Sequence, residues 1–185
     1  MRIVAGSARS RVIHAPEGRD TRPTLDRVRE NLFNVLCRRV PNARILDLFA
    51  GSGALALEAI SRGAQSAILV DHDRSAIRCI HENVDALHFS DRCRVLQSDW
   101  HAAVESLQQE NVRFDLIFLD PPYAMLDLSE VTRALLPLLD EEGLVVIEHQ
   151  AQHEPLVADG YTCTDTRRWG IAGVTMYARA SAEEA

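Results

Sequence analysis

The sequence predicts an α/β protein built on a doubly wound, mostly parallel sheet. From residue 44 onward, short apolar runs of strand length alternate with runs of helical apolar spacing. A glycine-rich turn follows the first of these strands, and acidic residues stand at or just past the ends of several. Such alternation implies right-handed βαβ units, with helices on both sheet faces and a ligand crevice beyond the carboxyl ends of the strands.

Strands are expected at residues 44–48, 67–71, 94–97, 114–119 and 144–148, and helices at 54–62, 74–87, 100–109 and 128–139. Asp73 suits the N-cap of the second of these helices, while Gly63 and Gly143 sit where a helix or turn should end. Past residue 148 the pattern changes. Residues 161–168 and 174–179 flank a turn containing Gly170 and Gly173, which reads as an antiparallel strand pair at the sheet edge. The first 43 residues stand apart. Residues 2–5 and 11–15 are expected to pair around Gly6-Ser7, residues 16–23 to run extended, and residues 24–40 to form a helix burying Leu25, Val28, Leu32, Val35 and Leu36. The organisation expected is a basic N-terminal extension (1–43), a main domain (44–180) and a fraying tail (181–185).

With 185 residues and 46% hydrophobic content, the chain is of one-domain length and can bury a sizeable core. It has no apolar run of membrane-spanning length, and its N-terminus does not read as a signal peptide. Its four cysteines are scattered without metal-ligand spacing, so no metal site is expected and the thiols read as reduced, in a cytoplasmic protein. The net charge of -7 argues at first against a nucleic-acid partner, but its distribution reverses that impression. Residues 1–44 carry ten arginines against four acids, and all 20 basic residues of the chain are arginine. Arginine suits bidentate phosphate contact, so a basic arm on an acidic body predicts one face for nucleic acid, with Arg2, Arg9, Arg11, Arg22 and Arg27 as the contacts.

The run Asp47-Leu48-Phe49-Ala50-Gly51-Ser52-Gly53-Ala54-Leu55-Ala56 joins the first predicted strand to a helix. Read literally it satisfies a dinucleotide fingerprint, with Asp71 about 20 residues on where an acid holds ribose hydroxyls. Asp47 argues otherwise, because a carboxylate at this strand end repels a pyrophosphate. It suits a ligand bearing an ammonium and a sulfonium group, as S-adenosylmethionine does. The glycines then allow close backbone approach, Phe49 belongs to the same loop, and His72 is placed to pack on the adenine. Asp99, beside Trp100 after the third strand, is placed to accept from the adenine amine. As an alternative, Asp47 and Asp99 are helix caps.

The fourth strand runs into Asp120-Pro121-Pro122-Tyr123. An amino group conjugated with a heteroaromatic ring is a poor nucleophile because its lone pair is delocalised. Two acceptors, the Asp120 carboxylate and a carbonyl of the proline pair, can bind both of its hydrogens and turn the lone pair toward a methyl donor. Proline fixes φ, so the carbonyl is held in place before substrate arrives. Tyr123 offers a stacking face worth about 1–3 kcal/mol per base.

Together these motifs resemble those of amino-directed methyltransferases. The run Arg22-Pro23-Thr24-Leu25-Asp26-Arg27-Val28-Arg29-Glu30-Asn31-Leu32-Phe33-Asn34, with Arg2-Ile3-Val4-Ala5-Gly6, is similar more narrowly to the RsmD family of bacterial 16S ribosomal RNA guanine-N2 methyltransferases. The resemblance spans nearly the whole chain. It implies a Rossmann-like class I methyltransferase fold, S-adenosylmethionine as donor, N2-methylguanine as product and an assembled or assembling small ribosomal subunit as substrate. Ala56 stands where the family has glycine, and Ala8 and Arg9 where it has lysines. A DNA adenine-N6 methyltransferase uses the same tetrapeptide, but this chain leaves little room for a region that reads DNA sequence. An NAD-dependent oxidoreductase conflicts with Asp47. A non-catalytic RNA-binding module conflicts with the intact set of Asp47, Gly51, Gly53, Asp71 and Asp120–Tyr123.

Overall fold

A computed structural model describes residues 1–16, 23–122 and 125–181, so Arg22 and Tyr123 fall outside the described residues. Among the described residues, five α-helices, α1 (Pro23–Val35), α2 (Ala54–Ser61), α3 (Arg74–Leu87), α4 (Trp100–Gln109) and α5 (Ser129–Leu135), accompany seven strands. The strands are β1 (Arg44–Asp47), β2 (Ser66–Asp71), β3 (Cys93–Gln97), β4 (Phe114–Leu119), β5 (Leu139–Gln150), β6 (Tyr161–Trp169) and β7 (Ala172–Arg179). They form one sheet of order β3-β2-β1-β4-β5-β7-β6. β1 to β5 are parallel, while β7 runs antiparallel to both β5 and β6. The strand order reverses at β1 and β4, where doubly wound sheets place their ligands. No helix among the described residues is long and apolar enough to cross a membrane.

The central strands are buried on both faces, which is why they read as continuous apolar runs. On one face α1, α2 and α3 pack through Leu32, Phe33, Leu57, Ile60, Ile80 and Val84; on the other, α4 and α5 pack through Val104, Leu107, Val131 and Leu135. Asp73 caps α3, its carboxylate accepting from the Ser75 amide at 2.9 Å. At the sheet's other end the Arg44 guanidinium ties Asp115 (2.9 Å) to Asp140 (2.8 Å), joining the starts of β1, β4 and β5 and holding the Asp115 carboxyl below its usual range.

The N-terminal residues lie against α2. Residues 2 and 12 make a single antiparallel bridge, with Ile3 and Ile13 buried beneath it, each contributing about 1.5–3 kcal/mol of burial free energy. Glu58, on α2 and wholly buried, accepts from the Val4 and Ala5 amides at 2.8 and 3.0 Å and from Arg62 at 2.7 Å. A Cβ at Gly6 would fall 1.8 Å from the Ser61 carbonyl oxygen, so only glycine permits this close approach.

Three sequence expectations need correction. The first helix ends at Val35, and residues 36–40 leave it through turns, because Pro41 disfavours helical backbone at Val40. Val35 is exposed, and the buried face carries Phe33 and Arg29 beside Val28, Leu32 and Leu36. The last helix stops at Leu135 and tightens into a 3-10 turn at Leu136–Leu138, since Pro137 has no N–H to continue it. Gly143 ends nothing. It lies inside β5 beside a register shift against β4, where a Cβ would crowd Leu139 at 2.7 Å and the Phe114 carbonyl at 3.0 Å.

Candidate active site

Asp47 ends β1 and Asp71 ends β2, Asp120 follows β4, and Glu148 lies near the end of β5. A crevice of about 740 Å³, open mouth included, is lined by Asp47, Phe49, Gly51, Asp120 and Glu148 of the sheet domain, with Met1 and Arg29 from the N-terminal segment.

Asp47 is 1% exposed. Its Oδ2 accepts from the Ala56 amide at 3.2 Å, while Oδ1 is buried with no hydrogen-bond partner. Burial above all, helped by the neighbouring carboxylates of Asp120 and Asp71 and only partly offset by the Ala56 amide, pushes its carboxyl up to about 7. A buried acceptor without a donor is costly, and a cationic donor from a ligand would satisfy it.

Asp71 is also buried, and each of its oxygens accepts one backbone hydrogen: Oδ2 from Gly51 at 2.8 Å and Oδ1 from Asp73 at 2.9 Å. Its first role is therefore to hold the glycine turn. Each oxygen keeps a further lone pair for a ligand. Gly51 and Gly53 both have positive φ, 58° and 77°. A Cβ on Gly53 would come 2.9 Å from Leu69, so this glycine serves the packing of α2 on β2.

The remaining predicted cofactor residues do not gather in the crevice. Asp99 is the N-cap of α4, accepting from the Ala102 amide at 3.0 Å, and that bond chiefly holds its carboxyl below the usual range. Trp100 is half-buried, packing on the α4–α5 side. His72 is exposed, with Nδ1 3.6 Å from Asp71 Oδ1. Gly53, Asp71, His72, Asp99 and Trp100 thus stand outside the crevice lining, while Asp47, Phe49, Gly51 and Asp120 belong to it. Capping explains Asp99, and it explains only one of the two oxygens of Asp47.

Asp120 is exposed, Pro121 buried and Pro122 exposed. The Pro122 carbonyl accepts from the Met125 amide at 2.8 Å. Pro121, Pro122, Met125, Leu128, Glu148 and His153 line a second, narrower recess of about 310 Å³. Glu148 borders both cavities. His149, beside it, is held by the Gln150 carbonyl and the Thr175 hydroxyl, each at 2.9 Å, over a Gly173 whose missing Cβ makes room for the ring.

Arg2, Arg9, Arg11 and Arg27 are exposed. Arg2 donates to the Ser10 carbonyl at 3.1 Å and Arg11 to the Ala86 carbonyl. Arg29 differs from its neighbours in the basic arm. It is 4% exposed, donating to Asp26 at 2.9 Å and to the Arg2 carbonyl, and its Nε has no hydrogen-bond partner. Sequence reasoning missed Arg29, Glu148 and Asn83. Asn83, buried in α3, bonds His14 from both ends of its amide and also donates to the Ser52 carbonyl at 2.9 Å, tying the N-terminal segment to the glycine turn. Glu148 had a usable signal: it is an acid at the end of a central strand, like Asp47 and Asp71.

The sheet order, the glycine turn and the acids at successive strand ends define a Rossmann-like class I methyltransferase. Within that class the chain belongs to the RsmD family, whose model, described as Conserved hypothetical protein 95, matches residues 1–178. It is 37% identical over 184 residues to the Bacillus subtilis protein named "Putative rRNA methyltransferase YlbH", covering 96% of this chain and 98% of that one. It is 37% identical over 155 residues to Ribosomal RNA small subunit methyltransferase D of Escherichia coli, covering 83% and 76%. A solved Escherichia coli structure, "Putative methyltransferase yhhF", superposes with TM-score 0.81 at 34% identity over 97% of each chain.

Proposed function

We propose that the protein transfers a methyl group from S-adenosylmethionine to the exocyclic N2 amine of a guanine in 16S ribosomal RNA, within an assembling or assembled small ribosomal subunit in the cytoplasm. The observation that carries this reading is the buried, donorless Oδ1 of Asp47 in a crevice that also holds Asp120. An acidic crevice fits a cationic donor and opposes a pyrophosphate, which disfavours a dinucleotide. The names of the Bacillus and Escherichia coli relatives support ribosomal RNA as the substrate.

S-adenosylmethionine, when bound, supplies the electrophilic methyl group. Asp47 and the Gly51 turn would hold its charged end, and Asp71, bonded to the Gly51 amide at the crevice edge, would meet its ribose with its remaining lone pairs. Asp120 and a proline carbonyl accept the two amine hydrogens and turn the nitrogen's lone pair toward the methyl. With the Pro122 carbonyl engaged by Met125, that second acceptor is assigned to Pro121. Asp120 also stabilises the cationic nitrogen formed on transfer and can take its proton afterward. Tyr123 is assigned the base-stacking role, and the exposed Arg2, Arg9, Arg11 and Arg27, together with Arg22, the RNA phosphates. The test is to incubate enzyme, labelled donor and small subunits from a strain lacking the enzyme, then identify the nucleoside by mass spectrometry. N2-methylguanosine is expected; N6-methyladenosine, or no labelled RNA, would overturn the reading.

A further inference from the structure

We propose that Glu148 reads the target base as guanine, its carboxylate accepting the N1–H while Asp120 and its turn hold the neighbouring amine. The proposal rests on the guanine reading above and deepens it by naming the residue that separates guanine from purines lacking that hydrogen.

The register of the sheet carries the argument. Leu119 of β4 pairs with Ile147 of β5, so Asp120 and Glu148 are the next residues of two adjacent parallel strands. Adjacent strands lie about 4.8 Å apart, which sets two carboxylates side by side at the crevice edge. Guanine presents two adjacent donors, N1–H and the N2 amine, on one edge. Acids on neighbouring strands complement that pair.

Glu148 also stands where such a base would have to lie. It borders the cofactor crevice on one side and, on the other, a shallow open recess walled by Pro121, Met125 and Leu128. A mostly apolar recess suits the faces of a planar base, and a base seated there would bring its edge to the partition between the cavities.

Among the described residues the Glu148 carboxylate feels the charges of Asp120 and Arg29. Burial, then the Asp120 charge, push it up to about 8, and Arg29 only partly opposes them. The unliganded fold thus holds a half-buried carboxyl beside Asp120, open to a donor from the base. An N–H donor from the base would offset that cost. Adenine cannot supply it, because its N1 carries a lone pair that would face the carboxylate.

Two substrates separate this role from a structural one. Small subunits are reconstituted on 16S RNA carrying either guanine or 2-aminopurine at the methylated position. 2-Aminopurine keeps the N2 amine but has an unprotonated N1. Above about pH 8, where the raised Glu148 carboxyl is ionised and cannot donate to an unprotonated N1, the wild-type enzyme is expected to prefer guanine in kcat/KM by about 10–100-fold, the discrimination a good base contact provides. Glu148→Gln presents an amide that can donate to the unprotonated N1 of 2-aminopurine or accept from the N1–H of guanine, so it should narrow or invert the preference. Glu148→Asp retains the charge and should keep the order of preference at a lower rate. A folding or donor-binding defect lowers both rates alike and leaves their ratio unchanged. Equal wild-type rates on the two bases, or an unaltered ratio in Glu148→Gln, would overturn the assignment while leaving guanine methylation standing. Failure of the wild type to methylate the guanine particle would overturn the functional reading and this proposal with it.

Discussion

Replacing Asp47 by Asn tests the electrostatic logic of the crevice. Burial lifts the Asp47 carboxyl from its ordinary 3.8 to about 7. A carboxyl raised in the fold binds its proton more tightly there than in the unfolded chain, so stability falls as pH rises from the unfolded value and the loss is complete above the folded one. The full cost of ionising Asp47 in the fold is on the order of 4 kcal/mol at about 1.4 kcal/mol per pH unit, of which about 3 kcal/mol accrues between pH 5 and pH 8. Asparagine can still accept from the Ala56 amide, and its unpaired amide hydrogens cost about 1–3 kcal/mol at every pH. Urea unfolding of the ligand-free proteins should therefore find Asp47→Asn close to wild type or slightly weaker at pH 5, and the more stable of the two at pH 8. The same substitution should weaken S-adenosylmethionine binding by about 10–100-fold in calorimetry, since it removes a charge-assisted hydrogen bond. A stability difference that does not move between the two pH values would refute the account of Asp47 as a buried carboxylate awaiting a cation.

Three further outcomes are expected. Asp120→Ala should lower turnover by about two to three orders of magnitude while donor affinity, measured by calorimetry, changes little; an undiminished single-turnover rate would remove Asp120 from the chemistry. Gly53→Ala should destabilise the fold by about 1–3 kcal/mol in denaturant unfolding, because φ is 77° and the new Cβ meets Leu69 at 2.9 Å; unchanged stability would show that the turn relaxes freely. Replacing the exposed Arg9 and Arg11 together by Ala should weaken binding to the small subunit and reduce its log–log salt slope by about 1–2, and an unaltered slope would place the RNA on another face.

Much of the fold is legible in local pattern. β4 and β5 are buried on both faces, so their apolar runs carry through, and β6 and β7 announce themselves by the turn at Gly170. The errors lie where local signals compete. Pro137 and Pro41 redirect backbone that apolar spacing would continue as helix, and Gly143 serves a register shift inside a strand. The candidate site divides along similar lines. Asp47, Gly51 and Asp120 are readable because glycine and proline punctuate strand ends, so position along the chain nearly gives position in space. Asp99 shows the limit of that inference, since a strand-end acid followed by a helix satisfies a cap as well as a ligand.

Neighbouring residues alone specify the alternation of strands and helices, the acidic glycine turn, the Asp120 tetrapeptide and the arginine-rich start, because each is local. Tertiary structure decided which of these side chains meet. It brought Arg29 and Met1 from the N-terminal segment to the crevice wall and set Glu148 beside Asp120 across two strands. It also left Asp47 Oδ1 buried without a donor. These facts depend on burial and on contacts between residues far apart in the chain, and neither quantity is written in the spacing of residues along it.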